Sequence, residues 1–132
     1  MKRNAVTKPI YKRRAASPSL RGWDRRGIIL MPSKSEPCGL SQMMASRYGT
    51  VPVVREVGGL YDTIKPYDPE TGKGNGLTFV SYNAHEMLYE IQKAVSLYSD
   101  KEQWKLLVEN AMSADFSWKN SALQYIKMYN TL

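Results

Sequence analysis

The sequence predicts an α/β fold, a partial Rossmann-like domain followed by C-terminal helices. Three observations carry this reading. Short apolar runs bounded by turn residues stand at 27–31, 51–54 and 77–80, as strands of a parallel sheet do. A helical period separates the first two runs. Three further amphipathic segments, the first two opened by a capping residue, complete the chain.

Gly27-Ile28-Ile29-Leu30-Met31 closes at Pro32-Ser33 and predicts a strand buried on both faces. Leu40 to Tyr48 predicts a helix, with Leu40, Met43, Met44 and Arg47 at i, i+3, i+4 and i+7 and Leu40 and the two methionines facing inward. Gly49 stops it as a C-cap. Val51-Pro52-Val53-Val54 predicts the second strand, and Pro52 marks its first residues or an edge position. Strand, helix and strand within residues 27–54 make a compact βαβ unit with a right-handed crossover. DPETGKGNG, 68–76, is a turn-rich loop, and Leu77 to Val80 a brief strand. Asn83 and Glu86 form a variant capping box before Met87, Leu88, Ile91, Ala94, Val95 and Tyr98. Asp100 with Gln103 starts the next helix, carrying Trp104, Leu107, Val108, Ala111 and Met112. The last runs from about Ser117, with Trp118, Ala122, Tyr125, Ile126 and Tyr129 in register.

A length of 132 residues fits one ordinary domain or part of a larger one, and 42% hydrophobic content suits a globular core. No run of about 18 apolar residues is present, so a transmembrane helix is not expected. The basic N-terminus lacks the apolar stretch of a secretory signal, although its arginines, its serines and the absence of acids before Asp24 are shared with transit peptides. One cysteine permits no intrachain disulfide and fits a reducing compartment, so the cytoplasm is the expected location, or a plastid in a plant. The net charge of +7 is uneven: residues 1–26 hold nine Lys/Arg and one acid (+8), and the remaining 106 hold ten Lys/Arg and eleven acids (−1). Residues 1–26 therefore read as a basic, disordered lead-in, and 27–132 as the folded body.

The turn MPSKSEPCGLSQ, 31–42, lies where ligands of open α/β sheets settle, beyond the carboxyl ends of the strands. A helix starting near Leu40 directs the backbone N–H groups of Gly39, Leu40 and Ser41 there, which favours an anion. Gly39 permits close approach, while Glu36 suits hydroxyl groups better than phosphate. Hydroxyls beside a phosphate describe a sugar phosphate or nucleotide-sugar. A plain loop entering a core helix, with Glu36 solvated, fits these residues as well.

MPSKSEPCGLSQMMASRYGTVPVVREVGGLYDTI closely resembles the donor-site segment of bacterial glycogen synthases and plant starch synthases, which reads MPS-x-[FY]-EPCGL-[ST]-Q, then RYGT-x-P-[IV]-V and T-GGL-x-DT-[VI]. The likeness continues through PETGKGNGLTF, YNAHEML and DFSWKNSALQYIKMY and covers about 28–132. The resemblance implies the C-terminal half of a retaining glycosyltransferase with two Rossmann domains. Such enzymes transfer glucose from ADP-glucose to the non-reducing end of an α-1,4-glucan, without a metal or other cofactor. It implies that Glu36 contacts hydroxyls of the donor glucose and is needed for activity. The backbone of Cys38, Gly39, Leu40 and Ser41 is implied beside the glucose and distal phosphate, and Gly58 and Gly59 at the border of the donor pocket. Ser35 replaces a common aromatic, and Val57 the usual Thr before Gly-Gly. The resemblance also implies groups this sequence does not show: a Lys-x-Gly-Gly-Leu loop, most of the acceptor groove, and an Arg and a Lys that clamp the donor phosphates. A truncated or frame-shifted gene would leave such a sequence, so the isolated chain is expected to bind ADP-glucose weakly and not to elongate glucan.

Other signals have plainer readings. Cys38 at a helix start could be a nucleophile, but no base partner is apparent and a backbone role fits better. His85 reads as a surface residue near a cap, because one Cys and one His cannot make a zinc set. GKGNG at 72–76 fails the GxxxxGK[ST] pattern and reads as a turn with several positive φ angles. Trp104, Trp118 and the tyrosines at helical spacing read as core, with Tyr125, Ile126 and Tyr129 exposed if a partner domain is lacking. A non-catalytic remnant or assembly partner is a further reading. The competing class is a nucleic-acid tether at 1–26, with Tyr11 and Trp23 among the basic residues. Under that reading, RNA or DNA binding falls steeply with salt and disappears when residues 1–26 are deleted.

Overall fold

The computed structural model describes residues 27–131, and the 1–26 lead-in lies outside the described residues. Its elements run β1 (Ile28–Met31), α1 (Ser41–Arg47), β2 (Val51–Arg55), α2 (Gly59–Thr63), β3 (Leu77–Phe79), α3 (Ala84–Ser99), α4 (Lys101–Ser113) and α5 (Trp118–Tyr129). The strands form one parallel sheet in the order β1-β2-β3. The α/β expectation and the β1–α1–β2 unit hold. The helix α2 was not expected: five residues between two glycines and a β-branched pair carry too little period to read.

The central strand β2 organises the core. Val51 and Val53 pack with Tyr67, Leu77, Ala94, Leu97, Trp104 and Leu107 on the α3–α4 side, while Val54 packs with Leu60 and Ile64 of the α2 region. Each fully buried side chain of this size contributes about 1.5–3 kcal/mol. Pro52 lies second in β2, at its start as expected but not on an edge strand. The Val51 N–H bonds to Gly27 O on the β1 side, so by alternation the position of Pro52's absent N–H faces β3. There the ladder begins only with Val53 opposite Leu77, and no donor is lost.

Two burial expectations are corrected. The strand β1 is not buried on both faces: it sits at a sheet edge, with Ile28 36% and Leu30 39% exposed. The helix α1 turns Leu40 (65% exposed) and Met44 (51%) outward and buries Gln42, Ala45 and Ser46 instead. Ala45 and Ser46 let this seven-residue helix approach the sheet and α4 closely, and the larger Gln42 is buried through its hydrogen bonds to Gly39 O and Thr63 Oγ1. Gly49, at φ +79, ends it as expected.

The capping expectations hold with one change. Asn83 accepts from the His85 N–H, Asp100 from the N–H groups of Glu102 and Gln103, and Ser117 from the Asn120 N–H. Glu86 reaches past its own cap and accepts from the Ser81 N–H at 3.0 Å. On α3 the buried positions are Ala94 and Leu97, while Leu88, Val95 and Tyr98 are exposed. On α4 Trp104, Leu107 and Ala111 are buried. The helix α5 buries nothing: Trp118, read as core, is 90% exposed, and Tyr125, Ile126 and Tyr129 are exposed as anticipated. The loop 68–76 is a turn with positive φ at Gly72 and Gly74, and Asn110 Nδ2 donates to both of their carbonyls. None of the described helices is long and apolar enough to cross a membrane.

Hydrogen bonds depress three carboxylates below their ordinary values: Glu86 through Ser81, Asp68 through Glu70 and Thr71, and Asp115 through Ser117. Groups lowered in the fold stabilise it above their unfolded pKa, and that contribution is lost as pH falls through the folded values. Glu90, raised by burial, acts oppositely and costs stability as pH rises past 4.5. Thermal unfolding followed from pH 6 down to about pH 2 is therefore expected to lose stability below the ordinary carboxylate range. Glu86→Gln should flatten that loss.

Candidate functional site

Three strand ends meet at one edge of the sheet, and the residues that follow β1 and β2 pack on one another there. The Gly59 N–H donates to Glu36 O at 3.0 Å. A Cβ at Gly58 would lie 2.1 Å from Glu36 O, and one at Gly59 would lie 1.7 Å from Cys38 O. Backbone therefore touches backbone, which only glycine permits at these two positions. Gly58 also holds φ +49. The sequence-predicted residues Glu36, Cys38, Gly58 and Gly59 thus come together in a single contact.

The Glu36 side chain is half-buried and accepts from Ser33 Oγ at 3.2 Å. One carboxylate oxygen is engaged by a neighbouring hydroxyl, and the group is not withdrawn into the core. Cys38 is an exposed free thiol. Gly39 turns the chain with φ +68, and Leu40 is the N-cap of α1, with no side-chain cap bond. Leu40 and Ser41 are exposed, whereas Gly39 is buried and the side of it where a Cβ would sit faces the Gln42 side chain.

Two residues not predicted from the sequence, Gln42 and Arg55, hold this arrangement, the first together with the equally unpredicted Thr63. Gln42 is fully buried, and its Nε2 donates to Gly39 O at 2.9 Å, Thr63 Oγ1 at 3.1 Å and Cys38 O at 3.4 Å. Thr63 Oγ1 in turn donates to Gly59 O at 2.6 Å. Arg55 ends β2 and donates from Nε to Val80 O at 3.1 Å and from Nη1 to Lys34 O at 3.1 Å and Ser33 O at 3.4 Å. Its guanidinium also lies 5.5 Å from the Tyr82 ring centroid. One cation thereby ties the segments after β1 and β3 to the end of β2. An arginine closing the apolar run VPVVR was the signal for the second residue. The first had only a polar side chain on the face opposite the methionines.

Two concavities are present among the described residues, the second at the carboxyl end of β3. One of about 500 Å³ is lined by Tyr98, Trp104, Val108 and Met112, and one of about 390 Å³ by Thr78, Val80, His85 and Tyr89. Neither includes Glu36 or the glycine pair, and we place the site at the strand ends, where open α/β sheets take ligands. No set of three metal-ligating side chains occurs among the described residues.

The chain is 58% identical over 106 residues to a glycogen synthase of Desulfitobacterium hafniense, a match covering 80% of this chain and 23% of that protein. It is homologous to a segment of the glycogen synthases. A glycogen synthase of Clostridioides difficile is 54% identical over 105 residues, covering 80% of this chain and 22% of the relative. Among solved structures, the catalytic domain of Arabidopsis thaliana starch synthase IV, bound to ADP and acarbose, superposes with TM-score 0.67 at 42% identity, over 79% of this chain and 22% of that one. A sucrose-phosphate synthase of Thermosynechococcus elongatus superposes with TM-score 0.54 at 27% identity, over 79% of this chain and 25% of that one. No protein-family model matches the sequence. This glycogen synthase-like chain thus spans under a quarter of the length of the curated relatives it matches. The expected α/β fold and the likeness to glycogen and starch synthases hold.

Gly59→Ala is expected to break the contact with Cys38 O and to destabilise the chain by about 1–3 kcal/mol, the range for forced overpacking. Urea unfolding of the variant beside the parent measures it.

Proposed function

We propose that this chain forms the donor-binding part of a retaining glycosyltransferase that moves glucose from ADP-glucose to the non-reducing end of an α-1,4-glucan. The observation that carries the reading is the glycine-mediated contact between the Glu36 turn and the Gly58-Gly59 turn at the strand ends. It leaves a carboxylate and the open start of a helix side by side. Glu36 accepts hydrogen bonds from hydroxyls of the donor glucose. The backbone of Cys38, Gly39, Leu40 and Ser41 lies along the glucose and the distal phosphate, and Gly58 and Gly59 border the pocket. The ADP in the starch synthase relative supports a nucleotide-sugar donor. Cytoplasmic location accompanies this reading.

Binding by the 132 residues alone is weak. A diphosphate carries about two negative charges, and each charge-assisted bond contributes roughly 1.5–3 kcal/mol. Arg55, at the end of β2, is committed to three backbone carbonyls and does not serve the diphosphate. Transfer also needs the acceptor held in line, an effect worth about 7–11 kcal/mol. The chain alone therefore does not elongate glucan.

Titration of the isotope-labelled chain with ADP-glucose is expected to shift the amides of residues 38–41, 58 and 59, with Kd of about a millimolar. Glu36→Gln should weaken that binding about tenfold or more, the loss of one charge-assisted bond. Glucose incorporation into glycogen by the chain alone should be absent. Shifts confined to other residues would sink the donor reading, and turnover near that of a full-length synthase would sink the claim of inactivity. A second reading, an assembly partner, is favoured by the uncovered apolar face of α5. Activity that returns on mixing with a separately supplied N-terminal half of a glycogen synthase supports it.

A further inference from the structure

We propose that Gln42, acting with Thr63, is a positioning residue for the donor site, a buried clasp that fixes the Gly39–Leu40 peptide and turns the Leu40 N–H outward. The proposal rests on the donor-site reading above. Gln42 is 0% exposed, and its Nε2 serves Gly39 O, Thr63 Oγ1 and the more distant Cys38 O. Its Oε1 is buried and has no partner. Buried polar atoms are nearly always paired, so a site that leaves one unpaired demands a reason. A leucine would fill a similar volume without an orphaned acceptor, at the cost of leaving the Gly39 carbonyl and the Thr63 hydroxyl without their amide donor.

What the amide adds is direction. A trans peptide points its C=O and the following N–H to opposite sides. Gln42 holds the Gly39 carbonyl, and more distantly that of Cys38, so the following N–H groups of Leu40 and Gly39 point away from Gln42, that of the exposed Leu40 toward solvent and that of Gly39 within a buried turn. Those two groups belong to the backbone that the donor reading sets against glucose and phosphate. Gly39, at φ +68, allows the reversal, and a Cβ there would lie 2.6 Å from Gln42 Oε1. The same amide reaches Thr63, whose hydroxyl holds Gly59 O. One side chain therefore sets both turns, so the spacing between Glu36 and the glycine pair depends on it. The sequence places these partners 21 residues apart, and only the fold joins them.

The test uses the whole 132-residue chain as Gln42→Leu, Thr63→Val and Thr63→Ser variants and the Gln42→Leu/Thr63→Val double variant. Hydrogen exchange at the Gly59 amide, ADP-glucose titration and thermal unfolding are read together. Gln42→Leu and Thr63→Val should each speed Gly59 exchange and weaken donor binding about tenfold at a temperature well below the variant's own Tm. Thr63→Ser, which keeps the hydroxyl, should match the parent, and the double variant should bind no worse than the weaker single one. Unchanged exchange and affinity in Gln42→Leu overturn the proposal, as does a loss of binding that merely tracks a fall in Tm. If Gln42→Leu does not fold, the contrast between Thr63→Val and Thr63→Ser decides. A parent chain silent to ADP-glucose overturns the donor reading instead, and Gly59 exchange still decides the clasp.

Discussion

The contact between residues 36–38 and the Gly58-Gly59 pair is the constraint from which the rest of this edge follows. It consists of main chain against main chain, with no room for a side chain between. Two loops from different strands are thereby locked at a distance set by carbonyl and amide radii. That converts a sequence separation of about twenty residues into a fixed spatial relation between a carboxylate and the start of a helix. Polar side chains then hold the two loops in that relation: Gln42 and Thr63 from beneath, Arg55 from the strand ends.

The sheet supports this edge asymmetrically. The strand β2 buries both faces, one against α3 and α4 and the other against the α2 region, so its carboxyl end is the rigid reference. The strand β1 lies at the margin and is half-exposed, yet it carries the segment that holds Glu36. Arg55 compensates for this: three hydrogen bonds to carbonyls of Ser33, Lys34 and Val80 bind the peripheral segments to the rigid strand. Bonds from a charged donor are stronger than neutral ones, about 1.5–3 kcal/mol, which suits a task that packing alone does not fulfil here.

Much of this was legible in the sequence because its signals are local. Apolar runs closed by Pro32-Ser33 or ended at Gly49 marked β1 and α1, and Asn83, Asp100 and Ser117 marked three helix starts. The order of residues around EPCGL and GGL pointed to one site, and the fold brings its two parts into contact. Facing was the weak point. In α1 the inward side is the one with Gln42, Ala45 and Ser46: two small side chains allow close approach, and hydrogen bonds hold the polar Gln42 there, neither of which an apolar period reports. In α5 a clear apolar period accompanies no burial at all, because periodicity reports which face is apolar and not what covers it. Gln42 and Thr63 escaped notice because a hydrogen bond across 21 residues leaves no periodic trace.

The glycine contact has one more consequence. A junction made of peptide groups is blind to what hangs from the residues beside it, so neighbouring positions can drift while the architecture persists. Ser35 is exposed, and Val57 packs beside Val54, Leu60 and Ile64 on the inner side of its turn, so neither enters the junction. Their departures from the glycogen synthase wording therefore alter the lining of this edge and leave its skeleton intact.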